Sequence, residues 1–164
     1  MAIPWSSSLY ERENPQAFVE LGVAPARVSA MTAQDGYKVI CRADQPCLAR
    51  GDSARIEQVV YNLLGNALTY TGEDKQVVLT EERRDGRIRI SVSDSGKGID
   101  PAELPYIWDR YYRTRESHKR AVIGSGLGLN ICRDILESHH APYGVESEPG
   151  QGTTFWFELE AAET

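Results

Sequence analysis

Gly124, Gly126 and Gly128 stand two apart in the stretch VIGSGLGLNICRDIL, Val122 to Leu136, and lead into a segment of helical periodicity. Glycines ahead of a helix leave backbone N–H groups free at the positive end of the helix dipole, an arrangement that favours an anion such as phosphate. The spacing lacks the third glycine of the dinucleotide fingerprint and the Gly-Lys-Ser/Thr of a Walker loop, so alone it reads equally as a flexible hinge.

Three other groups bear on that choice. In NLLGNALTYT, Asn62 and Asn66 lie four apart, on one face of a helix whose other faces are largely apolar. Two amides in that setting cost stability unless they are paired, internally or by a ligand. In SDSGKGID, Asp94 ends an amphipathic strand ahead of Gly96 and Gly98. A carboxylate there can accept from an exocyclic amine, and glycines let a flat ring approach the backbone; an ordinary Asx turn is the plainer reading. In EPGQGTTF, Gly150, Gly152 and the Thr153 hydroxyl precede the last strand, which a bulge or tight turn also explains.

The order of these blocks resembles the Bergerat-type ATP-binding domain of bacterial sensor histidine kinases, a branch of the superfamily that also holds gyrase, heat-shock chaperones and MutL. The resemblance runs from about Tyr37 to Leu159. In family terms NLLGNALTYT is similar to the N box and IWDRYYR to the F box, while DSGKG, GSGLGL and GQGTTF resemble the three glycine boxes.

The resemblance implies that Asn66 binds the magnesium ion bridging the ATP phosphates, with Asn62 beside it. Asp94 would accept from the adenine amino group, with Gly96 and Gly98 giving the ring access. Gly124, Gly126 and Gly128 would contact phosphate and hinge a lid, and Thr153 would help close the adenine pocket. The same resemblance adds Tyr70, Ile99, Tyr112, Leu127 and Leu129 to the nucleotide-contacting set and gives Arg113, at the end of the F box, a catalytic role beside Asn62 and Asn66. An amide oxygen with phosphates and water is a ligand set that suits magnesium.

The elements that must position these residues follow from periodicity. YKVICRA and CLARGD read as two short strands around a turn at Asp44 to Pro46. After the candidate N-caps Asp52 and Ser53, Ile56, Val59, Val60, Leu63, Leu64, Ala67 and Leu68 recur at helical spacing, with Gly72 as the stop. QVVLTEERRDGRIRISVSDS reads as a hairpin turning at Asp85-Gly86, with Ile88, Ile90 and Val92 on its buried face. Asp100-Pro101-Ala102-Glu103 has the form of a short helix start. Leu127, Ile131 and Ile135 mark a further helix beginning near Leu129, and TTFWFELE a closing strand with Phe155, Phe157 and Leu159 on one side.

Together with the resemblance, these elements predict an α/β two-layer sandwich. A mixed, mostly antiparallel sheet of about five strands would pack on about three helices beneath a flexible ATP lid. Residues 1–32 read as a linker left from an interdomain connection, and 33–164 as the ATP-binding catalytic domain.

The lid is expected in DRYYRTRESHKRAV, where Arg110, Arg113, Arg115, Lys119 and Arg120 fall within 110–120 against only Glu116. Such a run reads as a solvated loop unless it covers a triphosphate, where one or two charges would stabilise the transferring group. Thr69 stands where many members of the family have a lysine, so phosphate neutralisation would fall to the lid. Trp108 and Tyr111 stand for the F-box phenylalanines. His140 follows His139 where the family often has glycine, and both histidines read as structural.

Asn62 also occupies the position where the superfamily's hydrolases and protein-serine kinases typically carry a glutamate. An amide cannot take a proton, which argues for transfer to an acceptor with its own nucleophile, an imidazole nitrogen, rather than autonomous hydrolysis. The histidines of the chain, His118, His139 and His140, all follow the N box. The expected function is therefore phosphoryl transfer from Mg-ATP to a histidine on a separate dimerisation and phosphoacceptor module, with a response regulator downstream. A slow ATPase and a nucleotide-independent docking module are the alternatives.

The composition agrees. The 164 residues suit one sizeable core, and a net charge of −6 gives no general attraction to nucleic acid or anionic lipid. Three cysteines, Cys41, Cys47 and Cys132, show no CxxC spacing, which points to a reducing compartment. No apolar run approaches the roughly 20 residues that cross a bilayer, and the N-terminus lacks a signal peptide's pattern. A cytoplasmic domain without membrane contact of its own is expected, its parent protein free to be anchored in the plasma membrane.

Overall fold

The computed structural model describes residues 18–20, 36–43, 48–109 and 127–161. In chain order the elements are strands β1 (Phe18–Glu20), β2 (Lys38–Ala43) and β3 (Leu48–Arg50), helix α1 (Ser53–Tyr70), strands β4 (Gln76–Arg84) and β5 (Arg87–Asp94), helix α2 (Leu127–Ser138), and strands β6 (Tyr143–Glu148) and β7 (Gly152–Glu160). A five-stranded sheet has the order β2-β4-β5-β7-β6, and β1 pairs with β3 in a separate two-stranded ribbon. Only β2 runs parallel to its neighbour β4; the other pairings are antiparallel.

Local chemistry accounts for each main element. Asp52, in extended conformation, caps α1 by accepting from the Arg55 N–H, and the chain leaves the helix at Thr71, whose N–H still reaches Ala67 O. The apolar positions of α1 are the buried ones: Ile56, Val59, Val60, Leu63, Leu64 and Ala67. Asp85 and Gly86 take the left-handed conformation, φ 49° and 77°, that a tight hairpin matched to strand twist requires.

Val77 and Leu79 of β4, Ile88, Ile90 and Val92 of β5, and Phe155, Phe157 and Leu159 of β7 form the core face of the sheet against α1 and α2. Burying a side chain of this size contributes about 1.5–3 kcal/mol, so the core rests on this one face. Leu64 has no exposed surface, and truncating it to alanine would cost about 2–5 kcal/mol.

Three sequence expectations are corrected. Asp100 starts only a turn followed by the 3-10 segment Leu104–Tyr106 rather than an α-helix, and the described residues hold two α-helices. Asp100 Oδ1 does accept from the Ala102 N–H at 2.9 Å, but Pro105 disfavours a helical Leu104 and supplies no N–H to continue the ladder. The strands at 38–43 and 48–50 form but do not pair with each other; they belong to different sheets. Helix α2 begins at Leu127 rather than near Leu129.

Candidate nucleotide site

The strand register determines what stands at one end of the core face. Along β5 the in-phase residues are Ile88, Ile90, Val92 and then Asp94. Asp94 lies opposite Val77 on β4 and Thr153 on β7, and Thr153 lies opposite Ser147 on β6. The apolar row therefore ends in a polar one, on the same side of the sheet as the helices.

Asp94 is half-buried. Its Oδ1 accepts from the Gly96 N–H at 2.8 Å. Burial pushes its carboxyl above the usual carboxylate range, opposed by the backbone bonds from Gly96 and Thr153 and reinforced by the charge of Asp74. The ionised group is thus held for a partner at some cost to the fold.

The glycines around Asp94 serve the approach of the chain to itself. A Cβ on Gly96 would meet the Tyr70 carbonyl, one on Gly98 the Glu148 carbonyl, and one on Gly152 the Asp94 carbonyl. Gly72 is similarly confined, with the Ser95 carbonyl oxygen 2.7 Å from where its Cβ would sit. The end of α1, the loop after β5 and the turn before β7 are packed backbone on backbone. A polar clasp reinforces that contact: Asp74 Oδ1 accepts from the Ser95 hydroxyl at 2.5 Å and from the Gln76 N–H at 3.1 Å. A cavity of about 470 Å³ opens beside it, lined by Tyr70, Thr71, Ser95, Gly96, Lys97 and Gly150. It shares Tyr70 and Gly96 with the residues expected from the sequence; Asn66, Asp94 and Thr153 are not among its lining residues.

Asn62, Asn66 and Tyr70 occupy successive turns of α1. The Asn62 amide nitrogen reaches Gly128 O in the first turn of α2 at 3.5 Å, and the buried Cys132 thiol of α2 donates to Val59 O of α1 at 3.8 Å. Asn66 is half-buried, and among the described residues no group hydrogen-bonds its amide. Thr69 turns its hydroxyl back onto its own helix, donating to Gly65 O at 2.9 Å. Among the described residues no cluster of three or more His, Cys, Asp or Glu side chains could hold a metal ion.

Ile99 and Leu129 pack partly buried against the core. Gly128 is exposed, and Leu127 opens α2. Tyr112, Arg113, Gly124, Gly126 and the other charges of the expected lid lie outside the described residues. Ser147 was missed from the sequence. Its Oγ contacts Ile99, Gly152 and Thr153 at 2.8–3.0 Å, yet its strand was not read as one.

This fold matches known proteins. Residues 51–163 fit the family described as histidine kinase-, DNA gyrase B- and HSP90-like ATPase. The protein belongs to that family, and the resemblance to the catalytic domains of sensor histidine kinases holds. Sensor histidine kinase YkoH of Bacillus subtilis is 35% identical over 134 residues, covering 80% of this chain and 29% of the relative. Sensor protein SrrB of Staphylococcus aureus is 37% identical over 108 residues, 66% of this chain and 18% of the relative. The chain thus spans less than a third of the length of these relatives.

Among solved structures, the catalytic domain of histidine kinase ThkA superposes with a TM-score of 0.70 at 28% identity, covering 88% of this chain and 95% of that one. Full-length ShkA in complex with AMPPNP superposes with a TM-score of 0.71 at 30% identity, covering 89% of this chain and 32% of that one. Among the described residues no helix is long and apolar enough to cross a membrane.

Proposed function

We propose that this chain is the Mg-ATP-binding catalytic domain of a sensor histidine kinase, transferring the γ-phosphoryl group to a histidine on a separate dimerisation and phosphoacceptor module. The observation that carries the reading is Asp94. It is a half-buried carboxylate at the end of the core face, held by backbone N–H groups and followed by a loop packed against Tyr70. An acceptor so placed suits the exocyclic amine of adenine, with Thr153 and Ile99 beside it.

The phosphates would lie toward Asn66 and the start of α2, where Leu127, Gly128 and Leu129 form a first turn whose N–H groups have no acceptor within the helix. Asn66 fits magnesium in the chemistry of its donor: its amide oxygen has no partner among the described residues and, with phosphates and water, makes an all-oxygen ligand set for a hard cation. Bound there, magnesium would neutralise phosphate charge and orient the γ-phosphoryl group. Arg113, Tyr112, Gly124 and Gly126 are assigned to the lid over it, with Arg113 stabilising charge on the group in transfer.

Asn62 leans on α2 through Gly128 O and has no basic function to offer an attacking water. This supports transfer to an imidazole, already nucleophilic when neutral, over hydrolysis. Residues 33–164 are assigned to the catalytic unit and 1–32 to the connection with the module before it; the pairing of Phe18–Glu20 with β3 would tether that connection. The parent kinase would act on a response regulator from the cytoplasmic side.

The test is transfer in trans. The domain, magnesium and γ-labelled ATP are mixed with the dimeric histidine-bearing helices of its parent protein. Label should appear on the acceptor and be lost with Asn66→Ala. Phosphate release without acceptor labelling would replace this reading with a slow ATPase.

A further inference from the structure

Ser147 Oγ lies at the centre of three hydrogen bonds. It is 2.8 Å from the Ile99 nitrogen, 3.0 Å from Gly152 O and 2.9 Å from Thr153 Oγ1. A hydroxyl offers one proton and two lone pairs. Gly152 O carries no proton, so the Ser147 proton goes to it. The Ile99 N–H takes one Ser147 lone pair, which leaves the second for the Thr153 hydroxyl. All three bonds are satisfied in one way only: Thr153 donates to Ser147.

That assignment has a consequence one strand away. Thr153 is 7% exposed and stands directly opposite Asp94 in the register. With its proton committed to Ser147, its hydroxyl presents lone pairs alone. An ionised Asp94 also presents lone pairs alone. The two neighbours therefore make an edge that accepts hydrogen bonds and donates none.

We propose that Ser147 is a positioning residue that sets the polarity of the base pocket, so that the Asp94–Thr153 edge takes a purine bearing an exocyclic amine and rejects one bearing a carbonyl there. This rests on the reading of Asp94 given above. An amine brings protons to both acceptors. A carbonyl oxygen would face two acceptors with no proton between them, and buried polar groups left unpaired are what makes such discrimination large. Rejection of the wrong base then comes from a repulsive element as well as a lost bond. Without the Ser147 hydroxyl, the Thr153 O–H is free to rotate and donate, and the carbonyl finds a partner. The Ile99 N–H loses its acceptor at the same time, which loosens one wall for either base.

The experiment is titration of Mg-ATP and of Mg-inosine triphosphate, which carries a carbonyl in place of the amine, into the wild-type domain and into Ser147→Ala, Ser147→Cys and Ser147→Thr. Wild type should prefer ATP on the order of 100-fold or more. Ser147→Ala should lower that ratio roughly tenfold or more, with ATP weakened and the inosine nucleotide unchanged or tightened. Ser147→Cys keeps the volume but offers only a weakly bonding thiol, and should lower the ratio likewise even if the alanine variant does not fold. Ser147→Thr retains the hydroxyl and should restore it. A purely structural role would weaken both nucleotides together and leave the ratio intact; that outcome in the folded alanine or cysteine variant overturns the role of Ser147. Failure of the folded wild type to bind either nucleotide would instead overturn the nucleotide reading on which it rests.

Discussion

His139 Nε2 lies 3.0 Å from the Asp52 backbone nitrogen and accepts its hydrogen, tying the end of α2 to the cap of α1. Nδ1, 2.8 Å from Ile135 O, is then the protonated nitrogen, so one neutral tautomer satisfies both bonds. Replacing His139 with alanine strands the Asp52 N–H and opens space beside Gly51, whose Cβ position lies 3.4 Å from the imidazole. The expected loss is about 1–3 kcal/mol, read as a lower urea midpoint at unchanged slope. A shift under about 0.5 kcal/mol would show that the clasp contributes nothing.

His140 occupies the left-handed position that ends α2, with φ 53°, while the Ala141 N–H closes back on Leu136 O at 2.9 Å. This is the geometry of a glycine-terminated helix carried by a residue with a Cβ. His140→Gly should raise stability by about 0.5–1 kcal/mol, since relieved strain outweighs the extra freedom of the unfolded chain. Thermal melting decides the sign.

Burial pushes the Cys132 thiol up from its ordinary 9.0 to about 12. At neutral pH it should therefore resist alkylation in the folded domain and react once the domain is unfolded, as peptide mapping of that residue would show. The sign for stability follows from a raised folded value: the contribution is complete below pH 9.0 and is lost as pH rises toward about 12, because only the unfolded chain ionises readily in that window.

Asp94 carries the same sign with a functional cost. Its folded value is raised above the ordinary 3.8, so stabilisation is complete below that pH and lost as pH rises through the raised value. Near neutral pH the charged group is a burden on the fold. Asp94→Asn keeps an oxygen for the Gly96 N–H and removes the charge, and should melt higher than wild type near neutral pH, with the difference shrinking on acidification. ATP affinity should weaken on acidification at a higher pH than an ordinary carboxylate would give.

Much of this was legible because the informative residues are periodic. The spacing of Ile56 to Ala67 gave α1, and the alternation of Ile88, Ile90 and Val92 both gave β5 and placed Asp94 in phase with the core. Strand β6 was not legible: Tyr143, Val145 and Ser147 are only partly buried at the sheet edge, and Gly144 looks like a breaker. Its lack of a side chain is needed, because the Trp156 ring comes within 2.8 Å of where a Cβ would sit. The parallel pairing of β2 with β4 joins strands separated in the chain by β3 and α1, which no local pattern encodes. Ser147 stayed hidden for the same reason: its three partners lie on the loop after β5 and the start of β7, and only the register brings them together.

The central claim is that Asp94 is the acceptor of a nucleotide base. Calorimetric titration of Mg-ATP into the wild-type domain and into Asp94→Asn, both verified as folded by melting, tests it directly. Saturable binding to wild type and none to the more stable variant is the result expected. Equal binding by the two proteins, or no binding by folded wild type, would contradict it.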